Sequence, residues 1–323
     1  MPELSKKSLI LQSSYLYYVR GLNIQEISKQ LGISRFRVSR YITEARERGM
    51  VSVQIIDPDM DCEAMALELK QKLQIDQVIV CSVLPNASRE EIRHSIGKAG
   101  VQLLLDIDRK TNLAITWGRT VAYMVYELPK NKIRIKNVIE MAGSVGKITS
   151  SISAHTVAQL AAEKMDAHCI QFSAPIIVDS PRTANALLQE TVILEVLEMA
   201  KHCDIAISGV GPVQDKDSSL SSAGFLSERD LSTLDSRCAV GSILGRFFDK
   251  DGRECNTEFA RRVLALSFED YLAIPQRIVL AGGKYKVESI YALAKNHVIT
   301  TLVTDNETAS LLLEKMDGEE KGR

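Results

Sequence analysis

The sequence predicts an α/β protein in two parts: a small α-helical head of winged helix-turn-helix form, then a large doubly wound domain built on a mainly parallel sheet. Three observations carry this expectation. Residues 23–53, NIQEISKQLGISRFRVSRYITEARERGMVSV, pair two short amphipathic helices around a glycine and end in a short alternating run. From residue 77 onward, strand-like and helix-like runs alternate, which implies parallel strands with helices on both faces. Several strand-like runs end in glycine or polar residues, where open α/β sheets hold their ligands.

The head comes first. Leu9 to Val19 reads as a helix bearing Tyr15, Tyr17 and Tyr18. Ile27 and Leu31 are i, i+4 on the next helix, and Val38 and Ile42 repeat that spacing on a third, with Ile33 between. Gly32 supplies the tight turn and Ser34 is placed to N-cap the third helix. MVSVQII (50–56) alternates as a wing strand would. Asp57-Pro58-Asp59 breaks the pattern and begins a linker. Cys62 to Leu73 carries Met65, Leu69 and Leu73 at spacing four, as a connecting helix or a seam between copies. The expected boundaries are therefore 1–56 for the head, 57–73 for linker and connecting helix, 74–316 for the large domain, and 317–323 for a frayed tail.

In the large domain the expected strands are 77–83, 112–118, 137–143, 168–175, 204–211, 238–244, 277–283 and 299–305. The expected helices are 89–106, 118–127, 152–165, 184–201, 286–296 and 306–316. The strand ends TWGRT, MAGSVGK, SGVGP, AGGKYK and TDNE then mark the default pocket.

Charge separates the two parts. Residues 1–56 hold nine Lys+Arg and four Asp+Glu, a net of +5, so with the whole chain at −1 the remainder sums to −6. A near-neutral protein with its positive charge on one small end presents that end to a polyanion. Ser34, Arg35, Phe36, Arg37, Ser39 and Arg40 on the third helix, with Gln25 on the second, are the expected contacts to double-stranded DNA. Arg37 and Phe36 are placed to read bases, and Arg35 and Arg40 to clamp phosphates. The alternative is an ordinary helical hairpin with a solvated basic face.

The pocket signals are weaker. Gly143, Ser144, Val145, Gly146 and Lys147 follow a strand and suit an anion, yet they are no Walker A loop: its first glycine would fall on Met141, and Lys147 precedes Ile148. Gly209 and Gly211 lack a dinucleotide fingerprint. A two-glycine loop is as readily a tight turn as a ligand cradle. Gly283 with Lys286, and Gly118 with Arg119 and Thr120, add two further strand ends with a cation.

No apolar run approaches the roughly 20 residues of a membrane span, and the N-terminus MPELSKKSLIL lacks a signal-peptide core. Six cysteines (62, 81, 169, 203, 238, 255) are scattered without a C-x-x-C pair, which points to a reducing cytoplasm. His168-Cys169 and His202-Cys203 each read as the start of a strand, where neighbours face opposite sides, so no metal site is expected. No acid/base pair or G-x-S-x-G elbow is recognisable, and no catalytic residue or cofactor is assigned. Asp305 fits either a catalytic carboxylate or the N-cap of the helix after it.

The segments IQEISKQLGISRFRVSRYITEARERGMVSVQI, TWGRTV, SGVGP, AVGSILGRFFDKDG and VLAGGKYKVESIYALAKNHVITTLVTDNETASLLL occur in the order of the SorC family of sugar-responsive transcriptional regulators, which the chain resembles over nearly its full length. The resemblance implies a winged helix-turn-helix and a Rossmann-like effector domain similar to sugar-phosphate isomerases and deaminases. It further implies a phosphorylated sugar or polyol as effector, homo-oligomers that are commonly tetramers, and Asp249 among the effector-site residues. Lys286 falls on the family's lysine after the late Gly-Gly. The family's phosphate loop has Gly-Gly where this chain has Gly143-Ser144, and the Schiff-base lysine of some relatives is Ala142 here, so covalent capture is not expected. The competing readings are a sugar-phosphate isomerase or deaminase with a fused DNA-binding arm, and a nucleotide-binding enzyme.

Overall fold

The computed structural model describes residues 5–51, 61–144, 154–213, 220 and 224–321. The chain divides into two compact units, 1–57 and 58–323.

The first unit holds helices α1 (Lys6–Tyr18), α2 (Ile24–Leu31) and α3 (Arg35–Glu47). α1 starts three residues before the sequence signal because Ser5 caps it, accepting the Ser8 N–H at 3.2 Å. Asn23 and Glu26 form a capping box on α2. Gly32 takes φ +64° at the end of α2, and the Ser34 hydroxyl accepts the Arg37 N–H at 3.3 Å to start α3. Ile27, Val38 and Ile42 are buried together, with Leu31 and Ile33 half-buried at their margin. Leu9 and Ile10 of α1 close over Tyr41 and Ala45 of α3. Of the expected wing strand, 50–56, Met50 and Val51 are described and are in no strand, and 52–56 lie outside the described residues.

The second unit begins with α4 (Cys62–Leu73), capped by Asp61, which accepts the Ala64 N–H at 2.8 Å. A seven-stranded sheet follows: β1 (Gln77–Cys81), β2 (Asn112–Ile115), β3 (Asn137–Glu140), β4 (His168–Ile170), β5 (Ile205–Gly209), β8 (Gln276–Leu280) and β9 (Thr301–Asp305), in the spatial order β1-β9-β8-β5-β2-β3-β4 with every neighbour parallel. Strand side chains alternate between two cores. Val78, Val80, Ala114, Ile139, Ala206, Val279 and Leu302 face one. Leu113, Ile115, Val138, Ile205, Ile207, Ile278 and Val303 face the other. On the second face lie α5 (Arg89–Gly100), α6 (Arg119–Glu127) and α7 (Ala154–Lys164). On the first lie α4, α9 (Thr191–Lys201), α11 (Phe268–Ala273), α12 (Val287–Lys295) and α13 (Asn306–Lys321).

Four differences from the sequence reading have local causes. The run 238–244 is not a strand of the parallel sheet: β6 (Ala239–Ile243) pairs antiparallel with β7 (Arg246–Asp249), and the Phe247-Phe248 doublet of β7 gave no alternation to read. The span 184–201 is two helices, α8 (Pro181–Leu188) and α9, because Glu190 leaves helical space at ψ 131°. His202 and Cys203 follow α9 as its C-terminal cap and turn instead of opening a strand. The supposed tail is helical as far as Lys321, where α13 ends. A further helix, α10 (Glu228–Ser236), is started by a Ser227/Asp230 capping box. Among the described residues no helix is long and apolar enough to cross a membrane.

Candidate functional site

The chain runs outward from β2 through β3 to β4, then returns to place β5 on the other side of β2. The crevice beyond the carboxyl ends of β2 and β5 is thus the topological switch point, where ligands enter open α/β sheets. A pocket occupies it. Thr116 to Thr120 line it after β2, and Gly209 to Pro212 after β5. Arg93 reaches in from α5, Tyr285 and Lys286 from the turn after β8, and Leu220, Ser242, Leu244 and Gly245 form the remaining wall.

The cationic side is built by helix starts. Gly118 precedes α6 at φ +148° with no side chain capping that helix end, and the first residues of α6, Arg119 and Thr120, line the pocket, so the positive end of the helix dipole lies at its wall. Arg119 sits at the first position of that turn and Thr120 is buried behind it. Lys286 is only 8 % exposed and Arg93 stands one turn along α5 from Arg89, whose guanidinium lies 4.0 Å over the Tyr285 ring. The opposite wall is the β6–β7 turn. Leu244 and Gly245 both take positive φ there, +56° and +77°. A buried leucine in that region is uncommon, and such residues concentrate at binding sites.

The expected effector residues fall into three groups. Gly118, Arg119, Thr120, Gly209, Gly211 and Lys286 line this same pocket. Gly143, Ser144, Asp249 and Gly283 do not line it, and their visible polar groups are used elsewhere. The N–H of Gly143 donates to Leu264 and that of Ser144 to the Ala174 carbonyl at 2.8 Å. A Cβ on Gly143 would stand 2.5 Å from the Pro175 carbonyl oxygen, so glycine is needed there for close backbone packing. Asp249 Oδ1 accepts the N–H groups of Asp251 and Arg253 at 2.9 and 3.0 Å and closes the turn after β7. The Gly283 N–H donates to Asp305 and Thr308. Val145, Gly146 and Lys147 lie outside the described residues. Asp305 also accepts the Thr308 N–H at 2.9 Å, so it caps α13.

Sequence reasoning missed Arg93 and Leu244, and it placed Trp117 and Tyr285 in pocket-forming strand ends without singling them out as ligand contacts. Arg93 follows Arg89 by one turn on a helix with a Ser88/Glu91 capping box, so its face was readable. Leu244 was hidden because the β6–β7 turn carries Leu where two-residue turns favour Asn or Asp.

In the head, Gln25, Ser34, Arg35, Phe36, Arg37, Ser39 and Arg40 are all exposed, Phe36 at 76 %. Arg37 donates to the Tyr41 hydroxyl at 2.9 Å, and this bond holds the Tyr41 phenol below its usual range. Arg37 and Arg40 both stack 5.7 Å from the Tyr41 ring centroid, so one buried tyrosine orients two surface guanidiniums.

Comparison with known proteins fits both units. Residues 58–314 match the family model described as "Putative sugar-binding domain", and residues 7–48 match "Sigma-70, region 4". The full-length sorbitol operon regulator SorC of Klebsiella pneumoniae superposes with TM-score 0.78 at 26% identity, covering 96% of this chain and 100% of that one. The chain belongs to the SorC family. Among curated SorC-type relatives, the transcriptional regulator LsrR of Enterobacter sp. (strain 638) is 29% identical over 318 residues, 96% of this chain and 94% of LsrR. The deoxyribonucleoside regulator of Bacillus subtilis (strain 168) is 27% identical over 311 residues, 95% of this chain and 98% of that protein. The chain is thus a transcriptional regulator of sugar-operon type, with a DNA-binding helix-turn-helix and a sugar-binding domain.

Proposed function

We propose that this regulator binds an operator upstream of carbohydrate-metabolism genes, and that a phosphorylated sugar or polyol in the switch-point pocket controls that binding. The observation that carries the reading is the cationic wall: Arg93, Arg119 and Lys286 converge from three elements beside the uncapped start of α6. A phosphate dianion matches both the side-chain charge and the helix dipole. Trp117, Val210, Pro212, Leu220 and Leu244 give the sugar an apolar wall. The pocket binds without turnover, as expected of a regulator whose relatives carry regulator names. Exposed Leu11, Tyr15 and Tyr17 on α1 with Val19 at its C-cap, and Val192, Leu194 and Met199 on α9, support a homo-oligomer, a tetramer by family resemblance. One small head covers only a half-site, so two heads read a paired operator.

Trp117 is the chain's one tryptophan and it lines the pocket, so its emission reports occupancy directly. Titration with glucose 6-phosphate, fructose 6-phosphate, ribose 5-phosphate and 2-deoxyribose 5-phosphate is expected to find a binder whose unphosphorylated parent binds far more weakly. Lys286→Ala should then cost roughly 1.5–3 kcal/mol of affinity, about ten- to a hundred-fold. Equal binding of phosphorylated and unphosphorylated sugars, or wild-type affinity in Lys286→Ala, overturns the reading.

A further inference from the structure

We propose that Asp305 and Thr308 are positioning residues for the pocket, and that α13 carries pocket occupancy to α4, the helix that follows the linker. The inference rests on the reading of the pocket as an effector site.

The chain of contacts begins at the pocket wall. Tyr285 and Lys286 line the pocket, and Gly283 just before them takes φ +98°. A Cβ at Gly283 would stand 2.6 Å from the Tyr285 ring, so ring and backbone are packed as one piece. The Gly283 N–H is shared between Asp305 Oδ2 at 3.0 Å and Thr308 Oγ1 at 2.6 Å. The Thr308 hydroxyl donates in turn to Asp305 Oδ2 at 2.6 Å, and its N–H to Asp305 Oδ1 at 2.9 Å. Asp305 and Thr308 have no exposed surface. A buried network of this kind is stiff, because each broken bond strands a polar group away from water. A displacement of Lys286 by an anion therefore acts on the first turn of α13.

α13 is sixteen residues long, about 24 Å at the helical rise. Asn306 fixes its start by accepting the Val83 N–H at 2.6 Å. Lys315 pairs with Glu288 at 3.0 Å and Tyr291 donates to Glu319 at 2.8 Å, bracing it along α12, which itself starts right after Lys286. Farther along, Ala309, Leu312 and Met316 share a core with Leu69 and Leu73 of α4. Lys72 of α4 bonds Asp317 of α13 and pairs with Glu68 at 3.1 Å, contacts that push the ammonium up to about 12. Pocket wall, polar hub, α13 and α4 thus form an unbroken series of packed elements.

The test is amide hydrogen exchange on the full chain, with and without whichever sugar phosphate of the panel binds wild type by Trp117 emission. Binding is expected to change exchange at 116–122 and 283–287, and also at 306–317 and 61–73. Lys72→Met should keep ligand affinity within about two-fold and keep the pocket response, while the response at 61–73 disappears. Exchanging the charges, Lys72→Asp with Asp317→Lys, should restore it. Thr308→Val should weaken binding roughly ten-fold, and Thr308→Ser, which keeps the hydroxyl, should not. Melting curves identify a variant that fails to fold, and the solvent-side Lys72 arm stands without the buried one. A full response at 61–73 in Lys72→Met, or none in wild type, overturns the route. If no member of the panel binds wild type, the effector reading itself falls, a result distinct from binding without a response at α4.

Discussion

In the head, Arg35, Arg37 and Arg40 stand exposed on α3, whereas in the large unit Arg246, Arg262 and Arg277 are turned inward onto protein acceptors. Arg277 donates to the carbonyls of Val298, Leu272, Ile274 and His297. Arg246 donates to the carbonyls of Leu266 and Ala265 and pairs with Glu254 at 2.8 Å. Arg262 pairs with Asp230 at 2.9 Å. The same side chain serves as a surface reader in one unit and as a carbonyl bracket in the other. What separates the two uses is the set of acceptors the fold supplies, which composition does not reveal.

The comparison breaks most easily at Arg277. Arg277→Met keeps much of the stem and removes the fork, leaving four carbonyls without their donor. Stability of the large unit should fall by about 3 kcal/mol or more in denaturant unfolding. A loss below about 1 kcal/mol would mean water replaces the guanidinium at no cost, and the inward arginine is then as dispensable as a solvated one.

Much of the site was legible because its chemistry is local. Ser34, Gly32 and the i, i+4 pins of the head act within a few residues, and each of the eight expected strand-like runs overlaps a strand. The glycine-ended runs after β2 and β5 meet at the pocket because parallel strands bring their carboxyl ends to one side. What could not be read depends on partners far apart in sequence. Gly143 and Ser144 read as the start of an anion loop, yet their own N–H groups go to Leu264 and Ala174, while Val145, Gly146 and Lys147 lie outside the described residues. Gly283 looks like a second one until Asp305 and Thr308 take its N–H. Arg277 and Arg37 are indistinguishable as letters. The sequence states which groups can donate, and only the fold states what accepts.

The outward arginines sharpen the comparison at the next scale of effect. Arg37 is held by Tyr41 and so presents a fixed edge. Arg37→Ala should cost about 1–3 kcal/mol on an operator selected from random duplexes, and much less on unrelated DNA. Arg40→Ala should weaken both alike and flatten the salt dependence. Equal losses for Arg37→Ala on both DNAs would reduce it to a phosphate clamp. Tyr41→Phe tests the tether, since a preoriented guanidinium should lose part of its selectivity once the hydroxyl is gone.

A smaller effect comes from the cap that aims α3. Ser34→Ala removes the hydroxyl that accepts the Arg37 N–H and should lower head stability by about 1 kcal/mol. Ser34→Asp should retain the cap yet weaken operator binding, because the added charge faces the polyanion. Thermal unfolding and binding isotherms of the two variants separate the roles. If Ser34→Asp binds the operator as wild type does, the start of α3 does not approach phosphate.

The smallest effect reverses the viewpoint from cations to carboxylates, and its sign differs between the units. In the head, the hydrogen bond from Lys6 at 2.9 Å holds the Glu44 carboxyl below its ordinary range, with Arg48 adding charge. A lowered folded pKa means stability that is present above the unfolded value and lost as pH falls through the folded one. In the large unit, burial pushes the Glu140 carboxyl up, against the Phe172 N–H at 2.7 Å and His155 at 3.3 Å, which favour its charged form. A raised folded pKa gives a contribution that is present below the ordinary carboxylate range and lost as pH rises through the folded value. Glu44→Gln should therefore destabilise the head at neutral pH, with the difference from wild type shrinking on acidification. Glu140→Gln should stabilise the large unit at neutral pH, because it removes a charge that burial disfavours, and that gain should also shrink on acidification. Melting temperatures of the two variants and wild type, taken from pH 7 down to pH 4, give the two differences. A Glu140→Gln protein less stable than wild type at neutral pH would show that His155 and the Phe172 amide outweigh burial, and the two units would then treat their carboxylates alike.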